Sequence, residues 1–217
     1  MDRTALIVAG GKGLRMQTST PKQFLILRDL PVLMHTINKF SDFKNIILVL
    51  PIDQFSEWRN LCKKFHFSVQ HTLVQGGSNR YESVKRGLEN ITKNCIVAIH
   101  DGVRPLITML KINKLCQEVV SGTGIIPVMA IKESLRKIDK HNNYYLDRDS
   151  IVSVQTPQCF LSNEIIAAYS SATSNKFSDD ASVFEKNNGK ISMLDGEEQN
   201  IKITTKQDLV IAENLLS

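Results

Sequence analysis

The chain has no apolar run that approaches the length of a bilayer span. A transmembrane helix needs about 20 consecutive apolar residues, whereas runs such as 46–50 and 96–99 are short pieces. No membrane partner is therefore expected. Cysteine is sparse: Cys62, Cys95, Cys116 and Cys159 lie far apart and form no CxxC pair. Such spacing builds neither a disulfide framework nor a zinc site, and reads as small core residues in a reducing compartment. The opening residues Met1-Asp2-Arg3-Thr4 run straight into a strand-like segment, without the basic, apolar and cleavage regions of a secretory signal. The expected location is the cytoplasm. Internal repeats, linkers and low-complexity segments are also missing. A long basic run is absent too: the net charge is +5, but Lys63-Lys64 and Lys85-Arg86 are single doublets on expected helix faces. With no basic helix and no aromatic-basic motif, nucleic-acid binding is not expected. A modest positive balance suits anionic small molecules.

What is present is ordinary globular material. The 217 residues are 42 % hydrophobic and 23 % charged, enough to bury roughly 70–75 % of the extended surface without staples. Short apolar runs at 5–8, 46–50, 95–99 and 125–128 read as buried strands. Between them the spacing turns helical. Leu33, Ile37 and Phe40 recur after Pro31, a first-turn residue. Trp58, Leu61, Cys62 and Phe65 follow Asp53, an expected N-cap, and Val84, Leu88 and Ile91 repeat the period. Ile112, Leu115, Cys116 and Val119 do so again. A last helix starts near Thr205, where Thr205-Lys206-Gln207-Asp208 resembles a capping box, and buries Leu209, Ala212 and Leu216. Alternating strands and helices predict one α/β domain over 1–217, with a mostly parallel twisted sheet and helices on both faces. Residues 131–160 depart from this pattern. They are polar and lack a helical period, and predict a β-arm with strands near 134–138 and 143–146. Residues 170–178 read as a loop.

Three motifs carry chemistry. The first strand ends in Ala9-Gly10-Gly11-Lys12-Gly13-Leu14-Arg15-Met16. Glycines there let backbone N–H groups approach phosphates. A dinucleotide GxGxxG from Gly11 would need glycine at Met16, and a Walker A loop would need Ser or Thr where Gly13 stands. Arg15 and then Pro21-Lys22-Gln23 place two cations just beyond the loop. The second motif, His100-Asp101-Gly102-Val103-Arg104-Pro105, follows a strand, where open α/β sheets bind ligands. A loop ion pair is its plainer meaning. The third, Gln75-Gly76-Gly77-Ser78-Asn79-Arg80-Tyr81-Glu82-Ser83, is a glycine turn entering a helix.

AGGKGLRM, PKQFL, GGSNRYESV, HDGVRP, QTPQCF, FSDDAS and NIKITTKQDL occur here in the order seen in methylerythritol phosphate cytidylyltransferases, and the chain resembles that family over nearly its whole length. The resemblance implies a Rossmann-like domain whose β-arm makes a homodimer. It also implies transfer of CMP from CTP to 2-C-methyl-D-erythritol 4-phosphate, a step of isoprenoid precursor synthesis. Ala9, Gly10, Gly11 and Gly13 would line the CTP site. Arg15 and Lys22 would stabilise the transferring phosphate, and Gly77, Ser78 and Ser83 would face cytosine. Asp101 and Arg104 would meet ribose or the polyol phosphate. Ser134 and Arg148 would complete the acceptor site of the partner subunit, with Ser178 and Lys202 also touching the acceptor. Two departures stand out. Ser134 replaces a usual threonine, and Gly102 replaces a usual alanine, which is expected to loosen its turn. Ribitol phosphate cytidylyltransferases share most of these motifs, so CDP-ribitol synthesis stays open, as does a CTP-binding regulator without turnover.

The residues fit such chemistry on their own terms. A phosphate monoester has a second pKa of about 6 and needs no general base near neutrality. His35, His66, His71 and His141 have no catalytic partner in the sequence, and His100 reads as a loop-shaping residue. Attack of one anion on another calls for cations and alignment. Arg15, Lys22, Lys202 and Mg²⁺ carried by the triphosphate supply them, with Asp101 the candidate protein contact for the metal.

Overall fold

A computed structural model describes residues 1–10, 20–92 and 94–216. In chain order the strands and helices are β1 (Arg3–Val8), β2 (Ile26–Leu27), β3 (Leu30–Pro31), α1 (Val32–Asn38), β4 (Asn45–Leu50), α2 (Phe55–Lys64), β5 (Thr72–Gln75), α3 (Arg80–Leu88) and β6 (Ile96–Asp101). They continue as α4 (Met109–Gln117), β7 (Thr123–Ala130), β8 (Leu135–Asp139), β9 (Asn142–Leu146), β10 (Val152–Val154) and β11 (Gln158–Leu161). The last are α5 (Ser162–Ser171), α6 (Asp180–Lys186), β12 (Lys190–Asp195) and α7 (Lys206–Leu215).

Period-two alternation in the apolar strands produces the layers. In β1, Ala5 and Ile7 join a core under α1, α2 and α4, while Leu6 joins a second core under α3, α5 and α6. In β4, Leu48 and Leu50 take the first side and Ile47 and Val49 the second. Each fully buried aliphatic side chain contributes about 1.5–3 kcal/mol, so strands apolar on both faces settle in the middle of the sheet. The order is β10-β7-β11-β6-β1-β4-β5, with β12 beside β7. β5, β4, β1 and β6 are parallel, and β11 enters antiparallel between β6 and β7. β1 therefore lies between β4, reached through α1, and β6, reached much later. That reversal of winding opens a crevice at the carboxyl ends of β1 and β6.

Several boundaries differ from the sequence expectation. The strand expected at 95–99 runs on to Asp101, so His100 and Asp101 are strand residues with full ladder partners Ile7 and Val8. Pro31 is the N-cap of α1, one place before the first turn. Asp53 lies in a 3-10 turn, and Gln54 caps α2 without a side-chain bond. The Thr205–Asp208 capping box forms as expected. Of the three apolar residues expected under α7, Ala212 is fully buried, while Leu209 and Leu216 are half-buried against a small third core. The expected loop at 170–178 begins later, because α5 runs to Ser171. The polar stretch 131–160 divides in two. β8 and β9 form a hairpin paired only with itself, while β10 and β11 are strands of the large sheet. β10 and β11 are short, three and four residues, and follow a polar stretch, which hides that return.

Glycine matters at two close approaches. A Cβ on Gly102 would lie 2.7 Å from Ala9 Cβ and 3.0 Å from Leu33 Cδ1. Gly102 therefore packs its turn tightly onto the end of β1, and the expected loosening is corrected. On α3, a Cβ at Gly87 would lie 2.3 Å from Leu6 Cδ1 and 3.0 Å from Val49 Cγ2. Alanine would gain about 1 kcal/mol in helix propensity, but overpacking typically costs about 1–3 kcal/mol. Leu6 is fully buried and has nowhere to go. Gly87→Ala is expected to lower stability by about 1 kcal/mol in urea unfolding, the middle of the net range of the two effects; a variant as stable as the parent would show that Leu6 repacks freely.

Candidate active site

β6 ends in the crevice, and its last residue, Asp101, is the centre of the site. Lys202 Nζ lies 2.9 Å and Arg104 Nε 3.4 Å from Asp101 Oδ2, and Arg80 Nε lies 3.5 Å from Oδ1. Burial alone would raise the Asp101 carboxyl, but Arg80, Lys202 and Arg104 outweigh it and hold it well below the usual carboxylate range. These four residues, with Gln158 and Ser178, line a cavity of about 220 Å³. A larger cavity of about 560 Å³ lies by Arg3, Ile96 and Asn113. It sits at the amino ends of β1 and β6, where open α/β sheets do not bind their ligands.

The supports of this centre come from distant parts of the chain. The Asp101 N–H donates to Thr156 Oγ1 over 3.1 Å. Arg104 Nη1 donates to the Asn200 carbonyl at 2.7 Å, and the Asn200 amide donates to the Thr156 carbonyl at 2.9 Å. Ile203, fully buried, donates its N–H to the Val103 carbonyl at 2.9 Å, which brings Lys202 beside the Asp101 turn. His100 shapes the same turn. Its Nε2 lies 3.0 Å from the Arg104 carbonyl, which only accepts, so Nε2 carries the proton. Nδ1 then accepts from the Thr156 hydroxyl at 3.0 Å. Burial pushes the His100 pKa down to about 4, so the ring is neutral near pH 7 and has no nitrogen left for proton transfer.

The glycine motifs converge on the same edge. Ala9 is buried, and its carbonyl accepts from the buried Gln23 amide at 2.9 Å. A Cβ on Gly10 would sit 3.7 Å from Ser83 Oγ, so the first and third motifs meet there. Ser83 Oγ accepts from Gly77 N at 3.0 Å and donates to the Asn79 carbonyl at 2.8 Å. Its hydroxyl thus holds the glycine turn in shape. Glu82 draws in Ser78 N and Oγ, each at 2.8 Å. Lys22 opens a 3-10 turn, Lys22–Phe24, just before β2. Gly11, Gly13 and Arg15 lie outside the described residues. Ser134 and Arg148 do not join the cavity. Both are exposed on the arm side, and Arg148 Nη1 donates to the Lys132 carbonyl at 2.7 Å.

Sequence reasoning passes over Arg80, Gln158, Asp179, Asp180 and Tyr169. The segments GGSNRYESV, QTPQCF and FSDDAS contain the first four, but nothing in their spacing shows that they meet. As arranged, Asp101 does not fit as a direct metal ligand, because three cations face its two oxygens. Among the described residues no three His, Cys, Asp or Glu side chains gather to hold a metal ion.

A family model for 2-C-methyl-D-erythritol 4-phosphate cytidylyltransferase matches residues 4–217. The chain belongs to the 2-C-methyl-D-erythritol 4-phosphate cytidylyltransferase family. The enzyme of that name from Azobacteroides pseudotrichonymphae is 45% identical over 217 residues, covering 97% of each chain. That from Porphyromonas gingivalis is 45% identical over 218 residues, covering 99% of this chain and 98% of the relative. Among solved structures, the cytidylyltransferase of Thermus thermophilus superposes with a TM-score of 0.83 at 26% identity, over 99% of this chain and 98% of that one. The 4-diphosphocytidyl-2C-methyl-D-erythritol synthase of Anaerococcus prevotii gives 0.81 at 28% identity, over 99% and 96%. The family's mostly parallel α/β fold is the one described above. No helix among the described residues is long and apolar enough to cross a membrane.

The buried His100 gives this family member a pH signature. A base whose folded pKa is depressed contributes its full stability above the unfolded value of 6.5 and loses it as pH falls toward about 4. Asp101 loses its contribution only below its ordinary value of 3.8. Between pH 6.5 and 4 the His100 ring is expected to cost roughly 3 kcal/mol. Urea midpoints across that range should fall in the parent and flatten in His100→Gln; equal slopes in both would remove His100 as the cause.

Proposed function

We propose that the protein transfers a cytidylyl group from CTP to 2-C-methyl-D-erythritol 4-phosphate and releases pyrophosphate, a step toward isoprenoid precursors. The observation that carries this reading is the Asp101 centre: three cations around one carboxylate, beside a glycine turn, at the carboxyl edge of the sheet. Lys202 and Arg104 would receive the anionic acceptor, with Ser178 lining the same cavity. The carbonyls of Gly77 and Ser78, whose N–H groups are bonded to Ser83 and Glu82, would face the cytosine amino group, the Gly10 backbone would meet the nucleotide, and Lys22 with Arg15 would meet the reacting phosphate.

An oxygen of the acceptor phosphate forms the new bond to the α-phosphorus of CTP. The bond from that phosphorus to the bridging oxygen breaks, and pyrophosphate leaves with its electron pair. The attacking dianion has no proton to lose. That agrees with a site whose His100 is neutral and fully hydrogen-bonded and whose Asp101 is ion-paired. The work left to the chain is alignment and charge placement, which typically contributes about 10²–10³ in rate per donor. Mg²⁺ enters as part of the nucleotide substrate, held by the triphosphate.

The arm completes the reading. Ile138 and Tyr145 are 82% and 71% exposed on the β8–β9 hairpin, and such apolar surface on a projecting hairpin suits burial against a second copy of the chain. Ser134 and Arg148 would then reach the acceptor site of the partner in a homodimer.

Pyrophosphate release tests the function directly, with four nucleoside triphosphates and with methylerythritol or ribitol phosphate as acceptor. Uracil presents an acceptor where cytosine presents a donor, and an unmade buried hydrogen bond costs about 1–3 kcal/mol. CTP is expected to exceed UTP by at least about tenfold in kcat/KM, methylerythritol phosphate to exceed ribitol phosphate, and a chelator to stop turnover. Equal rates with CTP and UTP, or a preference for ribitol phosphate, would contradict the reading. Binding of CTP without pyrophosphate release would favour a regulator.

A further inference from the structure

The first residue of α3, Arg80, reaches across to the first residue of α6. Its Nη1 and Nη2 donate to Asp180 Oδ1 and Oδ2 at 2.9 and 2.6 Å, a two-pronged pair. Its Nε faces Asp101 Oδ1 at 3.5 Å. One planar guanidinium therefore serves two carboxylates at once. Asp180 is fully buried, and Tyr169, itself 2% exposed, donates its hydroxyl to Oδ1 at 2.6 Å. Gln158 braces the same place: its carbonyl oxygen accepts from Asp180 N at 3.0 Å and Ala181 N at 2.8 Å, and its amide donates to Asp179 Oδ2 at 2.9 Å. Asp179 in turn caps α6 by accepting from Ser182 N at 3.0 Å.

This arrangement has a direction. Asp180 cannot turn, because Arg80, Tyr169 and the Gln158-braced backbone hold it. The plane of the Arg80 guanidinium is fixed by that two-pronged contact, and the fixed plane sets the side from which Nε meets Asp101. Arg80 also belongs to the glycine-turn motif on the nucleotide side, while Asp179 and Asp180 follow Ser178 on the acceptor side. We propose that Arg80, clamped by Asp180 and Tyr169, is a positioning residue that sets Asp101 and the Ser178 loop for the acceptor. This rests on the cytidylyltransferase reading and adds a residue set to it.

Lysine keeps the charge but cannot pair two-pronged with Asp180 and still present a nitrogen to Asp101. A purely structural role would lower thermal stability and shift both substrates' KM alike. A positioning role separates them. The wild-type enzyme is first assayed with CTP and methylerythritol phosphate; if it does not turn over, both the functional reading and this inference fall. With an active parent, Arg80→Lys is expected to raise the acceptor KM at least about tenfold, while the CTP KM stays within about threefold. Tyr169→Phe leaves Arg80 in place and loosens only Asp180. It is expected to raise the acceptor KM about three- to fivefold with the CTP KM unchanged, and it decides the matter if Arg80→Lys does not fold. Unchanged acceptor KM in Tyr169→Phe, or equal shifts in both KM values in either folded variant, would overturn the proposal while leaving the parent's activity, and so the function, intact.

Discussion

One carboxylate holds the candidate site together. Arg80, Arg104 and Lys202 would repel one another if left to themselves, and each arrives from a different part of the chain. Asp101 gives them a common counter-charge. A buried carboxylate is unfavourable unless it is paired and hydrogen-bonded, so the dependence runs both ways. The cations keep Asp101 ionised, and Asp101 draws Arg104 and Lys202 toward Arg80, which Asp180 already holds. A phosphorylated acceptor entering that cavity meets positive charge that is already gathered, so little reorganisation is needed when the acceptor binds.

The sheet makes that pairing rigid. Asp101 is the last residue of an inner strand, with β1 on one side and β11 on the other. β11 runs against its neighbours, and this reversal puts Thr156 beside Asp101 and Gln158 beside Asp180. His100 uses both ring nitrogens to tie Thr156 to the Arg104 carbonyl. The turn that carries Asp101 and Arg104 is thus tied both to Thr156, 55 residues from Asp101, and to Asn200, 96 residues from Arg104. Sites mounted on strand ends and braced in this way keep their geometry better than sites on free loops.

Much of this is legible in the sequence. Strands β1, β4, β6 and β7 show as apolar runs because both their faces are buried, and α2 to α4 show the helical period because each has one buried face. The HDGVRP segment marks its own strand end, and the capping box at Thr205 announces α7. Other features leave no such trace. β5 and β12 are half-exposed at the sheet edges, so their composition is mixed. β11 is only four residues long and follows a polar arm. The ion pair between Arg80 and Asp180 spans 100 positions, and no local pattern encodes a contact made by the closing of a sheet. Ser83 shows a subtler limit: its hydroxyl is expected to face a base, and no local pattern announces that it also accepts from Gly77 N and donates to the Asn79 carbonyl to shape the glycine turn.

Asp101→Asn tests the central claim most directly, because it keeps the shape of the side chain and removes only the charge that the three cations share. The account predicts a folded variant whose kcat/KM for methylerythritol phosphate falls by at least about 10²-fold, the scale typical of losing one preorganised electrostatic group. A folded Asp101→Asn enzyme working within about threefold of the parent would show that the cations of this site do not depend on Asp101, and would contradict the account.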